Sequence, residues 1–373
     1  MSEWQETNLA KVVGLKRGID LPTPQRRPGP YPVLGSSGIT GWHDEAPFCG
    51  PGVTIGRSGA SIGTATWHDG PFWPLNTTLY VEDFKGNDPQ FIFRLLDGID
   101  FNSYNSGSAQ PSLNRNFIAQ IGVSLPGVLE QKAIAGVLKT LDDKIAVNER
   151  IAATADTLAS VHYQSERVGL PAESERLGRL ADVVVGGTPS RSKPEYWSGG
   201  TINWINSGKA NEFRVLEPSE MITEDGLSAS SVKLMPPGAT LIGITGATMG
   251  QISRLEIVAG GSQNIAGVWS DDPALNDWLF YDIKARVADL TKHASGGAQQ
   301  HINKRIIVEL ECVVPNAARL AAWSAKTSPL LRIAAHALVE TRTLATLRDT
   351  LLPQLMSGRL RVQDAEKIVE DRT

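Results

Sequence analysis

Positive charge is not in excess in this chain of 373 residues: 36 Lys and Arg stand against 40 Asp and Glu, a formal net charge of −4. Bulk attraction to a polyanion is thereby excluded, and any nucleic-acid contact must come from locally clustered cations. Cysteine is nearly missing. Cys49 and Cys312 lie far apart without CxxC spacing, which excludes a disulfide framework and a cysteine zinc site and fits a reducing cytoplasm. No run of about 18 apolar residues is present to span a bilayer. The opening Met1-Ser2-Glu3-Trp4-Gln5-Glu6 is acidic where an export signal is basic and then apolar. A soluble, cytoplasmic protein without membrane partners is expected.

Catalytic motifs are missing as well. Phe48-Cys49-Gly50-Pro51-Gly52 has the Phe-x-Gly-x-Gly form of a methyl-donor loop, but no Asn/Asp-Pro-Pro-Tyr/Phe segment accompanies it, and a tight turn accounts for it better. Glu130-Gln131-Lys132 lacks the upstream Pro-Asp of a nuclease metal site. No Gly-x-x-x-x-Gly-Lys-Ser/Thr loop is there to hold ATP. The histidines (His43, His68, His162, His293, His301 and His336) have no zinc-type spacing and read as surface or loop residues. The chain is expected to be no enzyme, and to hold no metal and no cofactor of its own.

What is present is a duplication. Gly107–Pro126 (GSAQPSLNRNFIAQIGVSLP) and Gly296–Pro315 (GGAQQHINKRIIVELECVVP) repeat each other, as do Leu9–Val13 with Leu180–Val184 and Pro51–Ala60 with Pro237–Ala247. The offset grows from 171 residues (Leu9 to Leu180) through 187 (Gly59 to Gly246) to 189 (Gly107 to Gly296), so most of the extra length of the second copy enters between the first two blocks. Loops diverge in this way around a kept scaffold.

Each copy runs from short β-branched and aromatic segments, punctuated by Gly and Pro, into a long helical pattern. Residues 129–162 contain no Pro and one Gly, with a 4-3-4 apolar seam at Ile134, Leu138, Leu141 and Ile145. At 1.5 Å per residue this makes a rod of about 50 Å, more than one small domain needs as core. The second rod, Ala317 to Leu352, carries Leu330, Ala334, Leu338, Leu344, Leu347 and Leu351, and Pro329 should kink or restart it. Gly358 reads as a helix stop before a short amphipathic tail. Two such rods in a duplicated chain pack antiparallel if the halves are related by a pseudo-two-fold axis. Similar globules held at a fixed distance have the geometry that reads two DNA half-sites. The fold class is thus α+β: two similar mixed α/β globules separated by two long antiparallel, coiled-coil-like helices. The boundaries fall at 1–127, 128–165, 166–316, 317–358 and 359–373.

Several motifs resemble one family. These are Gly187-Thr188-Pro189-Ser190, Tyr196-Trp197-Ser198-Gly199-Gly200 leading into Thr201–Ile205, and Gly246-Ala247-Thr248-Met249-Gly250. To them are added the Leu-Pro-x-x-x-Glu-Gln run at Leu125–Gln131, Leu141-Asp142-Asp143-Lys144-Ile145, and Leu351–Gly358. Over essentially the whole chain the pattern is similar to the specificity (S) subunits of type I restriction-modification enzymes, the HsdS family. The resemblance implies two target recognition domains, each reading half of a bipartite sequence in double-stranded DNA, with helices that set the gap. It further implies two methyltransferase (M) subunits and restriction/translocase (R) subunits as partners, in which S-adenosylmethionine, ATP and Mg would reside. The first globule departs by carrying Gly35-Ser36-Ser37-Gly38-Ile39 in place of Tyr-Trp-Gly-Gly. The second helix departs by carrying Ala317-Ala318-Arg319-Leu320 where the first has Glu130-Gln131.

Loop placement and side-chain chemistry nominate the DNA contacts, since Lys and Arg suit phosphate, Arg suits guanine, and Asn and Gln suit adenine. In the first half these are Lys16, Arg17, Arg26, Arg27, Ser36, Arg57, Ser58, Asn76, Asn114 and Arg115. In the second they are Ser190, Arg191, Lys193, Asn206, Ser207, Lys209, Thr245, Gln299, Asn303, Lys304 and Arg305. The Ser, Thr and Asn residues among them also suit purely local turn hydrogen bonds. Glu130, Gln131, Leu138, Leu141, Ile145, Leu344, Leu347 and Leu351 are the candidates for docking partner chains. Trp67, Phe72, Trp73, Trp204 and Trp269 read as core and not as base-stacking platforms. A non-catalytic adaptor binding protein or carbohydrate through its globules would show the same duplication and rods.

Overall fold

The computed structural model describes residues 4–104, 112–170, 174–292 and 301–372. The chain forms two compact units, Met1–Lys144 with Thr343–Thr373, and Ile145–Arg342. The long helices Val128–Val168 and Ala317–Met356 each contribute to both.

In the first unit an antiparallel sheet has the order Gly14–Arg17, Thr78–Asp83, Gly52–Gly56, Ala65–His68. Its central strand Gly52–Gly56 is wholly buried, as its unbroken apolar and small residues require. A second sheet pairs Tyr31–Gly35 antiparallel with Gly38–His43 and parallel with Trp73–Pro74. The second unit repeats the plan. Asp182–Val185, Ile265–Trp269, Thr240–Gly243 and Ile252–Leu255 stand in the same order, with Arg214–Val215 added parallel at the edge. Its other sheet again has an antiparallel neighbour and a parallel one, and gains Leu234–Met235. Both added strands lie in the stretch where the sequence offset grows. The copies also share register: Thr54 faces Tyr80 and Leu241 faces Gly267, each pair displaced by 187 residues.

Each sheet is covered by a helix that opens on Asp-Pro. Asp88 caps Pro89–Asp97 by accepting from the Phe91 amide at 2.9 Å, and Asp272 caps Pro273–Ala285 through the Ala274 and Leu275 amides. Proline suits the first turn because its missing N–H would have had no intrahelical partner.

Helix pairing differs between the units. In the first, Leu138, Leu141, Leu344 and Leu351 are buried, and Asp142 is held by Arg94 and, at 2.9 Å, by Arg348. In the second, Ala152, Ala155, Ala334 and Ala337 form the contact, small residues that allow close approach. Asn148 donates to Glu340 at 2.8 Å and Arg319 pairs with Glu166 at 2.6 Å, so the helices run antiparallel. An aromatic cluster of Tyr163, Trp278, Tyr281 and Trp323 joins them to the second globule. Within it the Tyr163 hydroxyl donates to Asp282 at 2.7 Å and that of Tyr281 to Asp156 at 2.9 Å. Burial, then the neighbouring carboxylate, pushes both phenols above their ordinary range.

Two expectations are corrected. The second long helix runs through Pro329 and Pro353 as one 40-residue element instead of restarting. Packing on both units outweighs the loss of two amide donors. His43 is no surface residue but is buried beside Trp73, its Nδ1 accepting the Arg27 amide at 3.0 Å. Gly358 does stop the helix, with φ +68°, and a Cβ there would meet the Trp4 indole at 2.6 Å. The tail helix Val362–Glu370 follows. Phe72 and Trp204 are core residues, while Trp67, Trp73 and Trp269 are half-buried.

Candidate nucleic-acid interface

The strand Gly52–Gly56 and its repeat Thr240–Gly243 each run into the same glycine-built loop. Gly59 and Gly246 have φ of +82° and +59°, and Gly63 and Gly250 have +81° and +82°, a region L side chains rarely enter. The loop closes on its strand through Gly63 N–H to Gly56 O and Gly250 N–H to Gly243 O, both 2.8 Å. A Cβ on Gly56 or Gly243 would lie 2.0 or 2.1 Å from the carbonyl of Ser61 or Thr248. A second segment then seals each loop. The Arg57 amide donates to Thr77 O at 2.9 Å and the Ile244 amide to Asn264 O at 3.0 Å. The bridges Ser58–Ser112 and Thr245–His301 complete the match.

In the first unit this arrangement gathers five sequence candidates. Arg17 Nε donates to Asn76 O at 3.3 Å, the Asn76 amide donates to Asp20 at 2.8 Å, and the Ser36 hydroxyl donates to Thr77 O, next to Arg57 and Ser58. Neither the Arg57 nor the Arg17 guanidinium makes an ion pair among the described residues, so both are available cations of the patch. The others have local tasks. Lys16 pairs with Glu82, half-buried Arg26 donates to Leu21 O and Thr40 O, and Arg27 is held at 2.7 Å by both Asp44 and Glu45. Asn114 caps the turn that presents exposed Arg115.

In the second unit Ser207, Thr245, Thr248, Asn264 and His301 line an open depression of about 460 Å³. Asn206 caps the turn Ser207–Asn211. Lys209 sits in the middle of this turn. It is almost buried, with its ammonium 2.7 Å from Glu212 and 3.5 Å from Glu217. Arg191 stacks over Trp197 at 3.5 Å and makes two 2.7 Å hydrogen bonds to Glu220, whose carboxyl the guanidinium holds below the usual range. Lys193 donates to the Tyr196 hydroxyl at 2.9 Å, and Ser190 shares a hydrogen bond with Ser192. Asn303 caps Lys304–Val308, Lys304 is exposed without an ion pair among the described residues, and exposed Arg305 reaches Glu309 at 3.1 Å. Gln299 lies outside the described residues.

Sequence reasoning missed Thr77, Asn264, Thr248 and His301, which enter the site from distant segments or through their main chain. For His301 a signal existed, because the duplication aligns it with Ser112 beside an already nominated serine.

Five of the eight nominated docking residues are buried within the chain. Gln131 is buried: its Oε1 accepts the Asp88 amide at 3.0 Å, and its Nε2 donates to Asn87 Oδ1 at 2.9 Å and Pro126 O at 3.0 Å. Leu138, Leu141, Leu344 and Leu351 are in the helix contact, while Glu130, Ile145 and Leu347 are half-buried. Arg319, where no counterpart of Gln131 was expected, closes the end of the first long helix, donating to Gly169 O at 2.9 Å besides pairing with Glu166. The exposed apolar seam is another one. Val147, Ile151, Leu158 and Val161 are each between 39% and 51% exposed and repeat at helical spacing along one face.

Among the described residues no helix is long and apolar enough to cross a membrane. Among the described residues no three His, Cys, Asp or Glu side chains gather in a position to hold a metal ion.

Residues 1–155 match the family model of the type I restriction modification DNA specificity domain. The chain is 26% identical over 149 residues to the EcoR124I/EcoR124II specificity subunit of Escherichia coli, covering 39% of this chain and 37% of that one. It is 24% identical over 194 residues to the HindI specificity subunit of Haemophilus influenzae, covering 50% and 41%. The matched stretches thus span less than half the length of these curated relatives. The solved S subunit of a type I restriction-modification system from M. genitalium shares the fold, with a TM-score of 0.69 over 95% of this chain and 96% of that one at 15% identity.

Proposed function

We propose that this chain, whose residues 1–155 match the family model of the type I restriction modification DNA specificity domain, is a specificity subunit that reads a bipartite sequence in double-stranded DNA. One half-site goes to each globule, and the gap is set by the long helices. The observation that carries this reading is the pair of glycine-built loops, identical in main-chain closure and different in side chains, one in each unit. Rigid loops of this kind present amides and short polar side chains to phosphates and base edges. The chain does no chemistry in this reading. Methylation and ATP-driven cleavage fall to two methyltransferase chains and to restriction/translocase chains, which bring S-adenosylmethionine, ATP and Mg.

The exposed Val147–Ile151–Leu158–Val161 seam supports a methyltransferase helix as its occupant, because a helical apolar face of this spacing is completed by another helix. The decisive experiment replaces residues 1–127 with the corresponding domain of another specificity subunit and maps the methylated adenines. One half of the target should change and the other stay; a change in both halves sinks the modular reading.

A finer expectation concerns Arg191. Its donors are tied to Glu220 in an exposed pair, which is worth little in water. Glu220→Gln should therefore tighten duplex binding severalfold and steepen its logarithmic salt dependence by about one. An unchanged salt slope would place Arg191 away from the duplex.

A further inference from the structure

One carboxylate in the second unit faces two cations from different elements. Glu217 turns Oε1 toward the Lys209 ammonium at 3.5 Å, and its Oε2 pairs with Arg342 of the second long helix. Arg342 also donates through Nη1 to Leu216 O at 2.9 Å, a contact across 126 residues of sequence. Lys209 in turn holds Glu212 at 2.7 Å, so the middle of the turn Ser207–Asn211 is tied to this carboxylate and to the residue that follows the turn. The turn is fixed from beneath by Ala210, which is fully buried, and from its start by the Asn206 cap. Ser207, its first residue, forms a wall of the depression with Thr245, Asn264 and His301. A chain of charged contacts therefore runs from the long helix to the turn whose first residue lines the candidate reading surface.

We propose that Arg342 is a positioning residue for the second half-site: through Glu217 and Lys209 it holds the Ser207–Asn211 turn in the geometry that reads DNA, without touching DNA itself. The inference rests on the DNA-reading function proposed above. It reassigns Lys209 from a phosphate contact to the middle link, since an ammonium shared by two carboxylates has no charge left to offer. The bidentate guanidinium is what the link requires, because it takes a carbonyl and a carboxylate oxygen at once, which an ammonium does less well.

The test uses the full chain with its partners and two readouts on wild type, Arg342→Met and Arg342→Lys. Hydrogen exchange follows the amides of 207–211, with those of the Thr240–Gly243 strand as an internal control. Selection from a pool of random duplexes reports base preference at each half-site. In Arg342→Met the turn amides should exchange roughly tenfold faster while the strand is unchanged. The second half-site should lose preference, the first should keep it, and Arg342→Lys should recover part of both effects. Unchanged turn protection, or equal loss at both half-sites, overturns the proposal. If the wild-type chain enriches no bipartite duplex, the DNA-reading function falls, and the exchange readout alone then decides whether Arg342 holds the turn.

Discussion

Asp277→Ala should destabilise the second unit by about 3–5 kcal/mol, the range for removing one partner of a buried ion pair. Arg254 lies on the sheet face beneath the Pro273–Ala285 helix, nearly inaccessible, with its Nη2 2.6 Å from Asp277 and its Nε 3.8 Å from Glu256. Glu256 is already engaged by buried Arg214. Taking Asp277 away would leave two guanidinium groups sharing one carboxylate in a site that solvent does not reach. The second long helix would lose one of its contacts as well, because the Ser328 hydroxyl donates to the other Asp277 oxygen at 3.0 Å. Denaturant unfolding of the full chain measures this, with the second-unit transition moving and the first staying in place. A loss under about 1 kcal/mol would mean that the cluster rearranges freely, contrary to its packing.

The double substitution Leu158→Asp and Val161→Asp should abolish co-purification with the methyltransferase chain while leaving the fold intact. Both side chains are exposed, so a carboxylate at either position keeps its water in the free chain. In a helix–helix interface each would have to be desolvated where an aliphatic group had been buried, weakening assembly by at least about a hundredfold. Unfolding midpoints serve as the control. Normal co-elution with an unchanged midpoint would show that the seam is not the docking face.

Much of the architecture is legible in the chain itself. The duplication, the two rods and the stop at Gly358 rest on local rules, namely periodicity and the special conformations of Gly and Pro, and these act within a few residues. Legibility ends where distant segments decide. Pro329 reads as a kink or a restart, yet the helix continues through it without restarting. Gln131 looks like a surface motif and is a buried clamp, because its partners Asn87 and Asp88 are more than forty residues away. In the candidate site the glycine loops announce themselves through Gly59, Gly63, Gly246 and Gly250. Thr77 and Asn264 do not, since both act through a backbone carbonyl and carry no side-chain signature. The two seams of the first long helix interleave in sequence, 148, 152, 155 and 159 buried beside 147, 151, 158 and 161 exposed. A single apolar pattern therefore cannot tell the inner from the outer face.

The two glycine loops share one backbone, but Arg57, Ser58, Thr77 and Ser112 stand in one where Ile244, Thr245, Asn264 and His301 stand in the other. Frames alike in shape but filled with unlike chemistry ask different questions of whatever they touch. A palindrome would answer both with the same word and satisfy only one. If the chain reads DNA as proposed, its preferred duplex should be asymmetric, giving the bound protein a defined left and right along it.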